Sequence, residues 1–202
     1  MTSLVGVLAA AGAGTRFGAP KLLARLPDGT PLGVAAARSL IAAIPVCVAV
    51  VRAGDHELAR LLHAAGLQIV VNPRADDGLG ASIACAVRAQ RNAAGWLIAL
   101  ADMPAVQPDT IRRVAHALAA GAGMAAPVFC GRRGHPVGFS SEFYPALARL
   151  AGDTGARSIL AAHAEQVTAV RVTDPGVMCD VDRPADLRSG IGGDGDPAYR
   201  CI

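Results

Sequence analysis

The run Leu4–Ala11 reads LVGVLAAA, with no polar residue anywhere in it. A strand written this way hides both of its faces, so its sheet needs cover above and below. Val46–Val51, Trp96–Leu100 and Met124–Val128 have the same character, and Leu67–Val71, Val137–Phe139 and Val167–Val172 read as further strands. Helical spacing falls between them, at Pro31–Ala43, Asp55–Ala65, Ala81–Gln90 and Pro108–Ala120, then at Ser141–Leu150 and Ala156–Ala164. Strand and helix in alternation predict an α/β fold, a Rossmann-like three-layer sandwich around a mostly parallel sheet. Such sheets bind ligands at the carboxyl ends of their strands.

A chain of 202 residues buries enough surface to fold without disulfides or a structural metal. Residues 1–188 are expected to form one domain, and 189–202, rich in Gly and Asp and without periodicity, a flexible tail. The formal charge of +3 is spread thinly, with no basic run longer than two residues. That argues against nucleic acid and suits a small anionic substrate. The five cysteines are odd in number and show no CxxC spacing, and Cys47 and Cys85, in apolar stretches, are expected to be reduced, buried thiols. No apolar run reaches membrane-spanning length, and no basic segment precedes the first one. A cytoplasmic protein with no membrane partner is expected.

Directly after the first run comes AAAGAGTRFGAPK, Ala9 to Lys21. Glycines in a strand-to-helix turn let backbone N–H groups approach a phosphate. The stretch lacks the GK[ST] of the triphosphatase loop, and GxGxxxG misses the dinucleotide fingerprint GxGxxG by one residue. It adds two charges, Arg16 and Lys21. Arg forks onto two phosphate oxygens, whereas Lys is a compact point charge on a flexible stem. The chain holds 18 Arg and one Lys, and that Lys is Lys21. A chain so biased toward Arg keeps its lone Lys where a guanidinium does not serve. The competing reading is a plain glycine turn with two solvated charges.

Asp102 ends another buried strand, in LIALADMP, and a carboxylate there suits Mg²⁺ or, alternatively, a turn before Pro104. Asp180 and Asp182 stand two apart in CDVDRPADL and point the same way if extended. Asp182 reads either as a metal ligand or as the cap of a helix starting at Pro184. Asp76–Ile83 (DDGLGASI) is a glycine loop, with Ser82 near a helix start. His135 lies in the turn GRRGHP, away from any apolar helix. No Ser/His/Asp or Cys/His constellation is visible.

AAGAGTRFGAPK resembles the signature AAGxGxRxGxxK of the nucleotidyltransferases that build nucleoside-diphosphate sugars and dinucleotide cofactors. Within them it is most similar to the molybdenum cofactor cytidylyltransferase branch, related to the molybdopterin guanylyltransferases. Ala9 replaces the usual Leu. The LADMP, DxDxPxDL, RGHPV and GDTGAR stretches, and the glycine loop ahead of Ser82, match the family's further elements in order between about residues 4 and 188.

The resemblance implies the nucleotide-diphospho-sugar transferase type of fold and transfer of CMP from CTP to the phosphate of molybdenum-bound molybdopterin, with Mg²⁺ as cofactor. It implies Arg16, Lys21 and Asp102 in catalysis, and Asp102 and Asp182 on the metal, with Asp180 in reserve. Ala10, Ala11, Gly12, Gly14, Gly78, Gly80 and Ser82 would hold the nucleotide; His135, Asp153 and Arg157 would hold the acceptor. A molybdenum hydroxylase is the implied recipient of the finished cofactor. Alternatives are another NTP, notably GTP, although guanylyltransferases tend to carry GG where this chain has Ala10-Ala11-Gly12. A sugar or alcohol phosphate acceptor, an NAD(P)H-dependent reductase of quinone-like pigments, and a non-catalytic carrier are the others.

Overall fold

Along the first strand, Val5 and Val7 are buried on one side and Leu8 and Ala10 on the other. The same split recurs at Trp96 and Ile98 against Leu97, and at Val48 and Val50 against Ala49 and Val51. Period-two alternation with both faces apolar produces two cores, one on each side of the sheet. Burying a side chain the size of Val or Leu stabilises the fold by about 1.5–3 kcal/mol, so both cores contribute.

The computed structural model describes residues 3–12, 14 and 17–187. Its strands are β1 Leu4–Ala10, β2 Cys47–Arg52, β3 Gln68–Asn72, β4 Gly95–Leu100, β5 Met124–Phe129, β6 Arg132–Arg133, β7 Val137–Ser140 and β8 Val167–Arg171. Its helices are α1 Leu32–Ile41, α2 His56–Ala64, α3 Leu79–Ala89, α4 Pro108–Ala119, α5 Tyr144–Leu147 and α6 Arg157–Ala162. The sheet order is β3-β2-β1-β4-β7-β5-β6, with β8 on β5. β3, β2, β1 and β4 are mutually parallel, β7 runs antiparallel to β4 and β5, and β8 is parallel to β5. The expected mostly parallel three-layer fold is present. The carboxyl ends of β1, β2, β4, β5 and β8 share one edge, together with the start of the reversed β7.

α4 turns Thr110, Ile111, Val114 and Leu118 inward, a stripe at helical spacing packed on one core. Ile83, Val87, Leu147, Ile159 and Leu160 close the other. Three expected elements differ. The helix over Ser141–Leu150 is a 3-10 turn, Ser141–Phe143, followed by the four-residue α5. Pro145 has no N–H to donate and is confined to the first turn of that helix. α3 begins at Leu79, two residues before expected, because Gly78 (φ +93°) leaves the preceding turn in a conformation costly for other residues. Residues 183–187 are bends and turns, not the helix expected from Pro184. Among the described residues, no helix is long and apolar enough to cross a membrane. The tail from Ser189, expected to be flexible, lies outside the described residues.

Candidate active site

Lys21 opens a short 3-10 turn, Lys21–Leu23, just past the glycine stretch that leaves β1. Gly14 sits against it at φ +59°, where an added Cβ would lie 3.0 Å from the Lys21 Cβ. From there the Lys21 Nζ donates to Asp102 Oδ2 at 2.9 Å and to Asp182 Oδ1 at 3.2 Å. These residues are 81 and 161 positions away in sequence, so the fold and not local structure brings them together. The lysine side chain is only 11% exposed. Burial opposes its charge, but the hydrogen bonds and charges of Asp102, then Asp182, outweigh it and raise its pKa above the ordinary 10.5. Lys21 is therefore charged at neutral pH.

The backbone fixes the pair of carboxylates as well. Val181 donates its N–H to the Asp102 carbonyl at 2.9 Å, laying the segment after β8 along the loop after β4. Asp182 does not cap a following helix. Instead Asp186 Oδ2 accepts from the N–H groups of Asp182 and Arg183, at 2.8 and 2.7 Å. Asp180 is exposed, one residue beyond the buried Val181 from Asp182.

Two carboxylate oxygens within 3.2 Å of one nitrogen face a common point. Hard oxygen donors of this kind fit Mg²⁺ or Mn²⁺. Among the described residues no group of three or more His, Cys, Asp or Glu is placed to hold a metal. The donor set thus suits a cation that completes its shell from substrate phosphates and water, the habit of Mg²⁺.

A cavity of about 490 Å³ surrounds this cluster, lined by Gly12, Gly14, Lys21, Asp102, Asp153 and Asp182. It adjoins one of about 350 Å³ lined by Ala11, Gly12, Arg52, Gly78, Ser82 and Asp153, among others. Ala9 and Ala11 line these cavities, whereas Ala10 turns its side chain into the opposite core, as strand alternation requires.

Gly78 and Gly80 are small for a reason the sequence did not disclose. A Cβ on Gly78 would lie 2.4 Å from Asp153 Oδ1 and 2.5 Å from the Gly152 carbonyl carbon. On Gly80 it would lie 2.6 Å from the Ala151 oxygen, and Gly80 N–H donates to Gly152 O at 2.8 Å. Their closest approach is to the 151–153 turn, which is how Asp153 reaches the cavity wall. Ser82 is not a helix cap. It is buried inside α3, accepting from Asn72 Nδ2 at 3.1 Å.

His135 precedes β7, and its backbone N–H donates to Val177 O at 3.1 Å. Burial holds its imidazole below the ordinary pKa, opposed by the Asp102 charge and the Ile98 carbonyl. Its buried Nδ1 has no hydrogen-bond partner among the described residues. It lines neither cavity, and neither does Arg157, which is exposed at the start of α6. Of the expected acceptor residues, only Asp153 reaches the cavities. Arg16 lies outside the described residues.

Sequence reading missed Arg52, at the carboxyl end of β2. Its Nη1 contacts Asp76 Oδ1 at 2.7 Å beside Gly78 and Ser82. The signal was present: a charge ending an otherwise apolar strand at the ligand edge.

Three comparisons bear on this geometry. A nicotine blue oxidoreductase from Paenarthrobacter nicotinovorans is 31% identical over 188 residues, covering 89% of this chain and 92% of that protein. The structure of Rv0371c from Mycobacterium tuberculosis in complex with manganese is 26% identical, covers 95% of this chain and 100% of that one, and superposes with a TM-score of 0.76. A nucleotidyl transferase from Methanothermobacter, at 23% identity, a TM-score of 0.78 and 93% and 95% coverage of the two chains, shares the fold. The family model of the MobA-like NTP transferase domain matches residues 6–167, nearly the whole sheet and the cluster's first two members, and this chain therefore belongs to the MobA-like NTP transferase family and is a nucleotidyltransferase.

Proposed function

We propose that this nucleotidyltransferase moves CMP from CTP to the phosphate of a molybdopterin-type acceptor and releases pyrophosphate. The observation that carries the reading is the convergence of Lys21, Asp102 and Asp182 beside the Gly12–Gly14 turn. An oxygen of the acceptor phosphate attacks the α-phosphorus in line; the new P–O bond forms as the bond to the β-phosphate bridging oxygen breaks. The acceptor is already anionic at neutral pH, so no general base is required. Positioning and charge then carry the catalysis.

When bound to Asp102 and Asp182, Mg²⁺ supplies neutralisation of triphosphate charge. The chain does the rest. Gly12 and Gly14 present backbone to the phosphates without a Cβ in the way. Lys21, and Arg16 by the motif it belongs to, stabilise charge on the departing pyrophosphate. The wall of Ala11, Arg52, Gly78 and Ser82 takes base and ribose, with Gly80 and Asn72 holding its shape. Asp153 lies between the two cavities, where nucleotide and acceptor meet; His135 and Arg157 remain acceptor-side candidates through the RGHPV and GDTGAR elements. A molybdenum hydroxylase is the fitting recipient of the product, and the thinly spread positive charge fits a small substrate acting in the cytoplasm.

The likeness to an oxidoreductase across nearly the whole chain favours one second reading, reduction of a quinone-like pigment by NAD(P)H. One assay separates the two. Pyrophosphate release is measured with each of the four NTPs, with and without Mg²⁺ and molybdopterin, beside NADPH oxidation with a quinone-type dye. Release with CTP that needs both Mg²⁺ and the acceptor supports the transferase. Metal-independent NADPH oxidation without pyrophosphate release from any NTP refutes it.

A further inference from the structure

Asp174 is an acid at 3% exposure, buried deeper than any carboxylate of the cavities. A buried carboxylate is expensive unless its lone pairs are filled. Here both oxygens are used. Oδ2 accepts from the Gln107 N–H at 2.9 Å and the Thr110 hydroxyl at 2.8 Å, and Oδ1 from the Gly176 N–H at 2.9 Å.

The donors come from two different pieces of chain. Gln107 and Thr110 form the entry to α4, five and eight residues after Asp102. Gly176 opens the connector that reaches Asp182 six residues later. The two pieces are then pressed together: a Cβ on Gly176 would lie 2.2 Å from the Ala105 oxygen. Further along, Val177 O accepts from His135 N–H and Val181 N–H donates to Asp102 O. Apart from the Gly176 N–H, which Asp174 caps within the connector itself, each of these contacts lies between the segment carrying Asp102 and the segment carrying Asp182, or ties His135 to the latter.

We propose that Asp174 is a positioning residue that sets the spacing of the Asp102 and Asp182 carboxylates, and so tunes their affinity for a divalent cation. It touches neither cavity and acts only through the two segments it joins. Its removal releases the connector from the α4 entry and lets Asp182 drift from Asp102. Outer groups that orient metal-binding side chains commonly change affinity by roughly 10–100-fold when altered.

The inference rests on Asp102 and Asp182 holding the cation, and its test separates the two claims. Mn²⁺ binding, followed by electron paramagnetic resonance without nucleotide, is compared in wild type, Asp102→Asn, Asp182→Asn, Asp174→Asn and the Asp174→Asn/Asp182→Asn double variant. Asn keeps the volume of Asp174 but turns an amide toward at least one donor. Asp174→Asn is expected to weaken Mn²⁺ about tenfold. In the Asp182→Asn background the same change is expected to have less than about a twofold effect, since there is no longer a second carboxylate to position. Thr110→Val removes one donor and keeps the carboxylate; it is expected to fold and to weaken Mn²⁺ by roughly two- to fivefold. That variant decides the matter if Asp174→Asn does not fold. A folded Asp174→Asn or Thr110→Val that binds Mn²⁺ as wild type overturns the proposal, as does a full tenfold loss on top of Asp182→Asn. Wild-type binding that is indifferent to both Asp102→Asn and Asp182→Asn overturns instead the metal reading beneath it.

Discussion

Lys21 carries a prediction that separates charge from shape. Its ammonium reaches two carboxylates at 2.9 and 3.2 Å, so a compact charge is held at one point between them. A guanidinium has the same charge but is planar, wider and held to fork geometry. Lys21→Arg is therefore expected to lower kcat by about 10²-fold or more, the scale of losing one preorganised charge at a developing anion. The urea midpoint should stay near that of wild type, because the carboxylates keep a cationic partner. Wild-type turnover in that variant would show that charge alone suffices. Lys21 is legible from sequence, because it is the single Lys among 18 Arg and closes a glycine turn. Asp174 is not legible. Nothing in VTDPG distinguishes a buried acid with three donors from an exposed turn residue, because two of the donors lie over sixty positions away.

Among the elements, what the sequence disclosed followed from burial on both faces. β1, β2, β4 and β5 were legible because an apolar run without alternation has few other uses. The helices with clear stripes, such as α4, were legible for the matching reason. Elements failed where a local signal had two explanations. Ser82 at a loop end reads as a cap until Asn72 is seen to occupy it from β3. Gly78 and Gly80 read as places where backbone approaches a ligand, and nothing in the sequence shows that the 151–153 turn fills the space of their missing side chains. That contact gives the next prediction. Gly80→Ala places a methyl 2.6 Å from a backbone oxygen, which cannot swing away as a side-chain tip would. The variant is expected to lose about 1–3 kcal/mol in urea denaturation, with its m-value unchanged. Stability equal to wild type would mean that the turn yields easily and that Asp153 is not held by α3.

For the whole molecule, the cluster joins three distant pieces: the turn after β1, the loop after β4 and the connector after β8. Each is anchored to a different part of the sheet, so a ligand spanning all three binds the folded chain and not the unfolded one. At 100 times its dissociation constant such a ligand stabilises the fold by about 2.7 kcal/mol. In a chain of this size that corresponds to a rise in Tm of roughly 5–10 °C. CTP with Mg²⁺ is expected to produce that rise, CTP with a chelator much less of it, and GTP with Mg²⁺ less than CTP if the wall around Arg52 and Ser82 fits the smaller base. Asp102→Asn should lose the Mg²⁺-dependent part, read against that variant's own ligand-free Tm, which is expected to fall because the largely buried Lys21 ammonium loses a charged partner. An NADPH-driven rise that persists with chelator and in Asp102→Asn would place a dinucleotide in the pocket and shift the balance to the reductase reading. The measurement needs no acceptor, so the choice of nucleotide can be settled before the identity of the second substrate is known.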